Sequence, residues 1–467
     1  MARVSGNETP WMAAAARGAA VVFWLVAWQA ACAWLAQPLL LPGPLEVARA
    51  LVDGAFQPAF WSSAAFSAAR IGCGLFAAYA LALPAAALAH RLPMARILLA
   101  PPLQAVKATP VVCVVVLLLL WFGSANVSFA AVLLMAVPGL YFTTLEGLDR
   151  SGSELEELFS VHAVGGARRA LACTWQRMLP YVRAASANVV GMAWKAGVAA
   201  ELIGVPAGSI GERIYQSKLL IETADVLAWT VAVIALSALC ERLVLAALSA
   251  SGPAAIRLAV RLNLRPAGRR GRNAGAQPGS GSISLVGARA PYGAPARPVD
   301  LDVPAGCRCC LLAPSGYGKT TVLRLVAGLV ASSDGRVRAP RGRAALFQES
   351  RLIEDASAMQ NIALFARPGT GAGAIASLLG ELASEVDPAA PVRGLSGGQR
   401  RRVELLRALL APGDAVLLDE PFAGLDEESH ERAARLVDRL LDGRTLLVAT
   451  HDRRDAELLG ATAVFLS

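Results

Sequence analysis

A short glycine-rich segment, APSGYGKTT at residues 313–321, has the residue types needed to bind the phosphates of a nucleotide. Glycines let backbone N–H groups close around phosphate oxygens, and the N-terminus of a following helix adds a positive dipole. Lys319 would reach the β- and γ-phosphates, and the Thr320 hydroxyl would bind Mg²⁺. The usual pattern begins with glycine where this chain has Ala313, so a positive φ at that position would be strained. By itself the segment predicts ATP binding.

Three later segments have side chains that could act on the same phosphates. LSGGQ, residues 395–399, leads from glycines into a helical pattern and provides a second helix N-terminus suited to anions. AVLLDE, residues 415–420, is an apolar strand that ends in two carboxylates. Asp419 can hold Mg²⁺ through water, and Glu420 can polarise an attacking water. The strand LLVATHD ends with His451, whose imidazole could contact the γ-phosphate. Each segment alone could be a turn or a strand end, but the four in this order predict ATP hydrolysis.

The segments that position these residues differ between the two ends of the chain. Of the 467 residues, 55% are hydrophobic and 17% are charged, a balance between those of soluble and membrane proteins. Beyond residue 283, short apolar strands alternate with helical patterns, as in an α/β domain. We therefore predict a multidomain protein with three parts. These are an all-α polytopic membrane domain at residues 1–256, an Arg/Gly/Ser-rich linker at 257–282 and an α/β P-loop NTPase domain at 283–467.

Six apolar segments before the linker each approach the ~20 residues that a bilayer core requires. They are residues 19–36, 66–89, 97–121, 128–145, 184–205 and 224–248. Arginines follow the second, fourth and sixth segments, which places those loops in the cytoplasm if the N-terminus is inside. The first segment could be a secretory signal, but its length and the spans that follow favour a membrane helix. We expect a multi-pass protein of the cytoplasmic (inner) membrane with its ATPase domain in the cytoplasm.

Net charge and cysteines provide weaker signals. The charge of +9 could indicate nucleic acid, but the arginines lie beside apolar spans and no aromatic residues interleave with them, so no nucleic acid partner is expected. Cys307, Cys309 and Cys310 lack a second pair at ligand spacing and a nearby histidine, so they are not predicted to bind metal.

On these motifs, residues 283–467 resemble the ATPase subunit of ATP-binding cassette (ABC) transporters, for which LSGGQ is highly specific. The resemblance implies ATP and Mg²⁺ as cofactors. It implies that ATP is bound by Ser315, Gly316, Gly318, Lys319, Thr320, Thr321 and, through its adenine, Tyr292. It implies Mg²⁺ binding by Thr320, Gln348 and Asp419, and catalysis by Glu420, His451 and Gln348. The signature loop that contacts ATP in trans would be Ser396, Gly397, Gly398 and Gln399, and the D-loop aspartate would be Asp426.

In this family each ATP lies between two copies of the ATPase, so the resemblance implies a homodimer. The segment between spans four and five, ELEELFSVHAVGGARRALACTWQRMLP, resembles the coupling loop of ABC importer permeases, with Gly166 and Pro180 as its markers. Their spacing is one residue longer than usual. Residues 60–248 resemble permeases of the nitrate/sulfonate/taurine import group, on the segments KATPVVCVVVLLLLWFG and MAWKAGVAAELIGVPAGSIGERI.

Two ionisable residues, Lys195 and Glu201, lie within the predicted fifth span. Such residues are costly in a bilayer and are functional candidates for that reason. They are about 240° apart around a helix, so they cannot pair on one face. Two interpretations stay open: a place on the translocation path, or Lys195 reaching the cytoplasmic edge while Glu201 contacts a neighbouring span.

Together these features predict an ATP-driven importer half-transporter for a small solute of the nitrate, sulfonate or taurine type. A separate extracytoplasmic solute-binding protein would deliver the solute, and membrane lipid would surround the helices. One alternative is an exporter with the same fused layout. Another is an ATP-gated membrane sensor that transports nothing, which the carboxylate and histidine of the predicted catalytic site argue against.

Overall fold

The computed structural model describes residues 10–37, 39–150, 152, 154–264, 281–291, 298–314 and 316–466. The chain divides into two compact units, one of residues 1–150 and 180–248 and one of residues 151–179 and 249–467. The predicted domain limits, 1–256, 257–282 and 283–467, stay a prediction. Of the predicted linker, residues 257–264 continue a helix, and residues 265–280 lie outside the described part of the chain.

Helices make up the described N-terminal half. They are α1 Pro10–Leu35, α2 Pro44–Ala55, α3 Pro58–Arg91, α4 Pro93–Ala108, α5 Val111–Phe122, α6 Val127–Arg150, α7 Glu154–Val161, α8 Gly166–Arg169, α9 Trp175–Gly204, α10 Ile210–Leu219 and α11 Thr223–Leu264. A π-helical turn at Ala170–Thr174 joins α8 to α9.

Within the described residues, four helices are long and apolar enough to cross a membrane: Gly18–Leu35, Pro58–Arg91, Ser124–Arg150 and Thr223–Asn263. Helices α4 and α5 form a fifth candidate as a pair bent by 107°. The bend falls at Pro110, which lacks an N–H and holds Thr109 in extended backbone. The predicted span at 184–205 lies in α9, whose charged residues lower its hydropathy. The polytopic helical domain is thus confirmed, with four to five candidate spans against the six predicted.

Close helix packing in the first unit depends on small residues. A Cβ atom on Gly197 would lie 2.6 Å from Ile71 Cγ1, and one on Gly211 would lie 2.4 Å from Glu201 Cβ. Because glycine has no Cβ, the helix backbones can approach closely at these positions. Close packing of this kind holds helices together in a membrane, where the hydrophobic effect does not drive their association. Large apolar side chains point outward instead, as Trp24, 70% exposed, and Leu120, 75% exposed, show. Outward-facing apolar residues suit a lipid or protein environment rather than water.

The C-terminal half alternates strands and helices. The strands are β1 Ile283–Arg289, β2 Val299–Val303, β3 Arg308–Leu312, β4 Asp334–Arg338, β5 Arg343–Leu346, β6 Ala415–Asp419, β7 Thr445–Thr450 and β8 Thr462–Phe465. The helices are α12 Lys319–Val326, α13 Ala358–Ala363, α14 Ala372–Leu382, α15 Gly397–Leu410, α16 Glu427–Leu441 and α17 Arg453–Leu458.

Two sheets organise this half. One is a parallel sheet in the order β5-β6-β7-β3-β8, and the other is antiparallel in the order β2-β1-β4. Strands β6 and β7 are buried along their whole length, which explains their continuous apolar sequences. Parallel strands end at the same edge, so β3, β5, β6 and β7 direct their following loops to one place. The predicted α/β P-loop NTPase fold is confirmed in this sheet.

The segment between the fourth predicted span and α9 packs in the second unit. Leu158 and Phe159 of α7 are fully buried in the core that also holds Leu311 of β3 and Val322 of α12. The last turns of α11 enter the same core through Ile256. The predicted coupling-loop segment therefore packs in the same core as the elements that carry the nucleotide motifs.

Candidate active site

The loop after β3 has the backbone shape that its glycines predict. Gly316 has φ +89° and Gly318 has φ +87°, values that side-chain-bearing residues rarely adopt. Ala313 is not among the residues with positive φ, so replacing the usual glycine causes no strain there. Its carbonyl accepts a hydrogen bond from Lys319 Nζ at 2.5 Å, and Pro314 O accepts a second at 3.3 Å. The predicted ligand Ser315 lies outside the described residues.

The strand ends converge on a cavity of about 280 Å³ beside this loop. Most of the side chains predicted to handle ATP line it, together with Pro314: Gly316, Gly318, Lys319, Thr320, Thr321, Gln348, Asp419 and Glu420. They come from the loops after β3 and β5 and from the end of β6, because these strands run parallel in one sheet, with β7 between β6 and β3. Tyr292, the predicted adenine contact, lies outside the described residues.

The cavity has oxygen ligands suited to Mg²⁺. The Asp419 side chain is almost fully buried, and neither carboxylate oxygen has a hydrogen-bond partner within the described chain. Burial raises the pKa of Asp419 to about 6. The Thr320 hydroxyl lies 3.5 Å from Gln348 Oε1 at the same place. A buried carboxylate without donors is costly, and a hard divalent cation with oxygen preference would relieve that cost.

Glu420 is held in an uncommon backbone conformation at the mouth of the cavity. Its φ of +48° is left-handed, although it is not glycine. One carboxylate oxygen lies 2.9 Å from His451 Nδ1, and the other lies 3.8 Å from Lys319 Nζ. The structure thus brings together the predicted base, the predicted γ-phosphate lysine and the predicted switch histidine. Strained residues of this kind concentrate at functional sites.

The signature loop begins α15 with a reciprocal cap. The Ser396 side chain accepts from Gln399 N at 3.4 Å, and Gln399 Oε1 accepts from Ser396 N at 2.9 Å. Gly397 and Gly398 line a cavity of about 510 Å³ with Gln348, Glu420 and His451. This second cavity is lined by the predicted catalytic residues Gln348, Glu420 and His451 of the same chain, while the contact with the partner's ATP stays a prediction.

The predicted D-loop aspartate, Asp426, caps α16 by accepting a hydrogen bond from Ser429 N at 2.8 Å. That backbone hydrogen bond lowers the pKa of Asp426. The carboxylate is therefore ionised at neutral pH and has a structural function at the helix N-terminus.

The two predicted coupling-loop markers lie in α8 and α9, and a residue missed in the sequence lies in α7. Gly166 has φ +59° at the start of α8, and Pro180 lies inside α9. Glu157 of α7 was not predicted, yet its two oxygens each lie 2.8 Å from a guanidinium, that of Arg324 and that of Arg351. Arg324 belongs to α12, which follows the phosphate loop, and Arg351 follows Gln348 by three residues.

The two ionisable residues of α9 do not come together. Lys195 is exposed, whereas Glu201 is fully buried. Glu201 Oε2 accepts from Ser67 Oγ at 2.6 Å and from Gly211 N at 3.4 Å. The Ser67 hydroxyl also accepts from Ile210 N at 2.9 Å, so the network holds the start of α10. A place for either residue on the translocation path stays a prediction.

Comparison with known proteins agrees with this organisation. The family model described as "ABC transporter" matches residues 296–423, and the model described as "Binding-protein-dependent transport system inner membrane component" matches residues 72–250. Both models lie on one chain. Since permeases of this kind cross the inner membrane and their ATPases are cytoplasmic, the chain is a multi-pass inner-membrane protein with a cytoplasmic ATPase domain.

Individual relatives are similar to the ATPase half. An "Aliphatic sulfonates import ATP-binding protein SsuB 3" of Nocardia farcinica is 40% identical over 172 residues, which cover 36% of this chain and 70% of that protein. An SsuB 1 protein of the same description from Pseudomonas syringae pv. tomato is 39% identical, covering 36% of this chain and 63% of that protein. The chain thus spans about two thirds of the length of these relatives.

Among solved structures, the "Dimeric structure of a post-hydrolysis state of the ATP-binding cassette MJ0796 bound to ADP and Pi" aligns with 40% of this chain and 94% of that chain, at 23% identity and a TM-score of 0.35. That likeness is weak. The chain belongs to the ABC transporter family, and it joins a binding-protein-dependent inner membrane component and an ATP-binding subunit in a single polypeptide.

Proposed function

We propose that this protein is the half-transporter of an ATP-driven importer, works as a homodimer, and takes up a small sulfonate-type solute. The observation that carries the proposal is the cavity that joins Lys319, Asp419 and Glu420 on a chain that also has a binding-protein-dependent permease. The relatives named for aliphatic sulfonate import support the solute class.

In the proposed reaction, the phosphate loop and the N-terminus of α12 bind the β- and γ-phosphates, with Lys319 neutralising charge. Thr320, Gln348 and Asp419 would hold Mg²⁺, which, when bound, withdraws charge from the transferred phosphoryl group. Glu420 accepts a proton from the water that attacks the γ-phosphorus, as the bond to the ADP oxygen breaks. His451 fixes the Glu420 carboxylate through the 2.9 Å contact.

The homodimer follows from the family's arrangement, in which the signature loop of one chain contacts the ATP bound by the other. Ser396, Gly397, Gly398 and Gln399 would provide those contacts. Gly397 and Gly398 suit that function because they leave room for close approach of a phosphate to the helix N-terminus. Two chains would contribute two ATP sites and two permease domains.

The coupling of hydrolysis to transport would pass through α7. Glu157 joins that helix to Arg324 beside the phosphate loop and to Arg351 beside Gln348. The Arg351 side chain is buried and Glu157 is largely shielded from water, so breaking the pair would leave a buried charge without its partner. A change in either nucleotide loop would therefore move the segment between the fourth span and α9.

The test uses the Glu420→Gln protein in lipid nanodiscs with ATP and Mg²⁺, where closure would persist without hydrolysis. The protein is incubated with extracytoplasmic extract of its source, recovered, and analysed for bound protein and small molecules by mass spectrometry. We expect a solute-binding protein carrying a sulfonate. If ATP occupancy is confirmed and no such pair is recovered, the importer proposal is wrong, and export or sensing becomes the better explanation.

A further inference from the structure

One buried arginine of the signature helix contacts the backbone of two predicted catalytic segments, the one that leads to Gln348 and the one that holds Asp419 and Glu420. Arg401 lies in α15, two residues after Gln399, and is 6% exposed. Its guanidinium donates to Phe347 O and to Asp419 O. It also donates to Glu420 O from Nε at 3.1 Å and from Nη2 at 2.7 Å.

These three carbonyls belong to the backbone that carries the predicted catalytic side chains. Phe347 immediately precedes Gln348, and Asp419 and Glu420 are the carboxylates of the site. A guanidinium has five N–H donors in a rigid fork, so it can satisfy three diverging carbonyls at once. A lysine ammonium at the same place lacks that planar fork and would satisfy fewer of them.

The hydrogen bond from Arg401 to the Glu420 carbonyl stabilises the backbone conformation of Glu420. Glu420 adopts the left-handed φ of +48°, which a residue with a side chain does not hold without support. Its N–H donates to Ala449 O at 2.8 Å, and its carbonyl accepts from Arg401. Both ends of the residue are therefore pinned, and the side chain is left directed at His451 and Lys319.

The Arg401 guanidinium is paired only loosely with a carboxylate among the described residues. The nearest ion pair is with Glu404 Oε2 at 3.8 Å, longer than a direct charge-assisted hydrogen bond. Burying a cation costs desolvation free energy, whereas an apolar side chain of similar size would fill the same space without that cost. The hydrogen bonds of the guanidinium instead fix the orientation of the three peptide carbonyls.

We infer that Arg401 is a positioning residue for ATP hydrolysis, holding Gln348, Asp419 and Glu420 in place from the signature helix. The inference rests on the proposed function. Arg401 is two residues from Gln399, in the segment predicted to contact the partner's ATP. It therefore links that segment to Glu420, which would act on the ATP bound by its own chain. A shift of α15 in one chain would thereby move the Glu420 of that same chain.

A matched control is present on the next residue of the helix. Arg402 has the same chemistry, but it donates to Leu382 O and, within its own helix, to Gly398 O at 3.4 Å, and it pairs with Glu385. Replacing Arg402 removes a guanidinium from α15 without touching Phe347, Asp419 or Glu420. Any general effect of losing an arginine from this helix therefore shows in Arg402→Gln.

The experiment measures steady-state ATPase activity of the full chain in nanodiscs for wild type, Arg401→Gln, Arg401→Lys and Arg402→Gln. A displaced catalytic group of this kind costs about 10- to 100-fold in rate. We expect that loss in kcat for Arg401→Gln, with KM for ATP within about threefold of wild type, since the phosphate loop is untouched. Arg401→Lys should recover part of kcat. Arg402→Gln loses a single 3.4 Å contact to Gly398 O near the signature loop, so its loss of kcat should be far smaller than that of Arg401→Gln.

A kcat for Arg401→Gln within about twofold of wild type would overturn the inference. Equal losses in kcat and ATP affinity accompanied by a lower melting temperature would instead indicate loss of folding. If Arg401→Gln does not fold, Arg401→Lys decides, since it keeps the charge and should still lower kcat at an unchanged melting temperature. A wild-type protein that does not hydrolyse ATP would instead refute the proposed function and leave the Arg401 variants without a reaction.

Discussion

The nucleotide site and the ionisable residues of α9 behave in opposite ways. Lys319, Gln348 and Glu420 are scattered over a hundred residues of sequence, yet they line one cavity. Lys195 and Glu201 are six residues apart on one helix, yet one is exposed and the other is fully buried. Separation in the sequence is therefore a poor predictor of which side chains lie close together. A position at the end of a parallel strand is a better one.

The reason lies in how each element directs a side chain. Parallel strands deliver their following loops to one edge of the sheet, whatever the length of chain between them. A helix directs residues around its whole circumference, so the environment of each depends on the neighbouring helices. Glu201 faces Ser67 of α3 and Gly211 of α10, neighbours that no periodicity of α9 reveals.

The largest expected effect is that of a substitution in the nucleotide site. Glu420→Gln should lower ATP hydrolysis by about 10²- to 10⁴-fold, because the amide cannot accept the proton of the attacking water. ATP binding should be retained, and the measurements are phosphate release and equilibrium nucleotide binding. Glu428→Gln, an exposed residue of α16 paired with Arg432, is the control and should hydrolyse normally. Hydrolysis at the wild-type rate would remove Glu420 from its assigned role.

The next effect concerns Lys319, which the loop carbonyls of Ala313 and Pro314 hold in the cavity. Lys319→Ala should weaken ATP binding by about 10- to 100-fold, since hydrogen bonds to charged groups contribute about 1.5–3 kcal/mol each. The readout is a nucleotide titration of the purified protein. Lys319→Arg, which keeps the charge, should lose less affinity. An unchanged affinity in the alanine variant would show that the loop binds phosphate differently.

The membrane half is tested by the close approach of α10 to α9. A Cβ on Gly211 would lie 2.4 Å from the Glu201 carbonyl carbon and 2.6 Å from Leu202 N, so Gly211→Ala must shift backbone. Overpacking of this kind costs about 1–3 kcal/mol and should lower the melting temperature in detergent. Gly191→Ala on α9 is the control, since its Cβ meets nothing within 4 Å. Equal melting temperatures for the two variants would contradict the packing described for the first unit.

The smallest effect is a pH dependence in the second unit. His162 is buried, and its Nδ1 lies 3.0 Å from Leu158 O. Burial lowers its pKa to about 4. The unfolded chain therefore binds the proton first as pH falls below about 6.5, and the native state is destabilised from there until pH reaches about 4. At pH 5 the loss should be roughly 2 kcal/mol relative to pH 7.5.

Melting temperatures at pH 5 and 7.5 check this prediction in wild type and in His162→Gln, which does not titrate. Asp419, whose raised pKa of about 6 reflects burial, stabilises the native state as pH falls, so it acts in the opposite direction in both proteins. The difference between the two proteins isolates His162. A fall in melting temperature of the same size in the variant would show that another group is responsible.

Much of the ATP site could be predicted because phosphate chemistry restricts the residue types. A lysine, a hydroxyl and two carboxylates at strand ends have few alternative explanations when they occur in order. The prediction could not find Glu157 or Arg401, because several acids and arginines flank each of them. Only the packing of α7 and α15 decides that Glu157 meets Arg324 and that Arg401 meets the Glu420 carbonyl.

The sequence by itself determined that apolar helices precede an ATPase, and which residue types would meet the phosphates. Hydropathy and motif order are properties of the chain that need no fold to be read. The tertiary structure alone decided that Ala313 is tolerated and that Glu201 is buried while Lys195 is exposed. These depend on backbone angles and on contacts between segments distant in sequence, which local patterns do not encode.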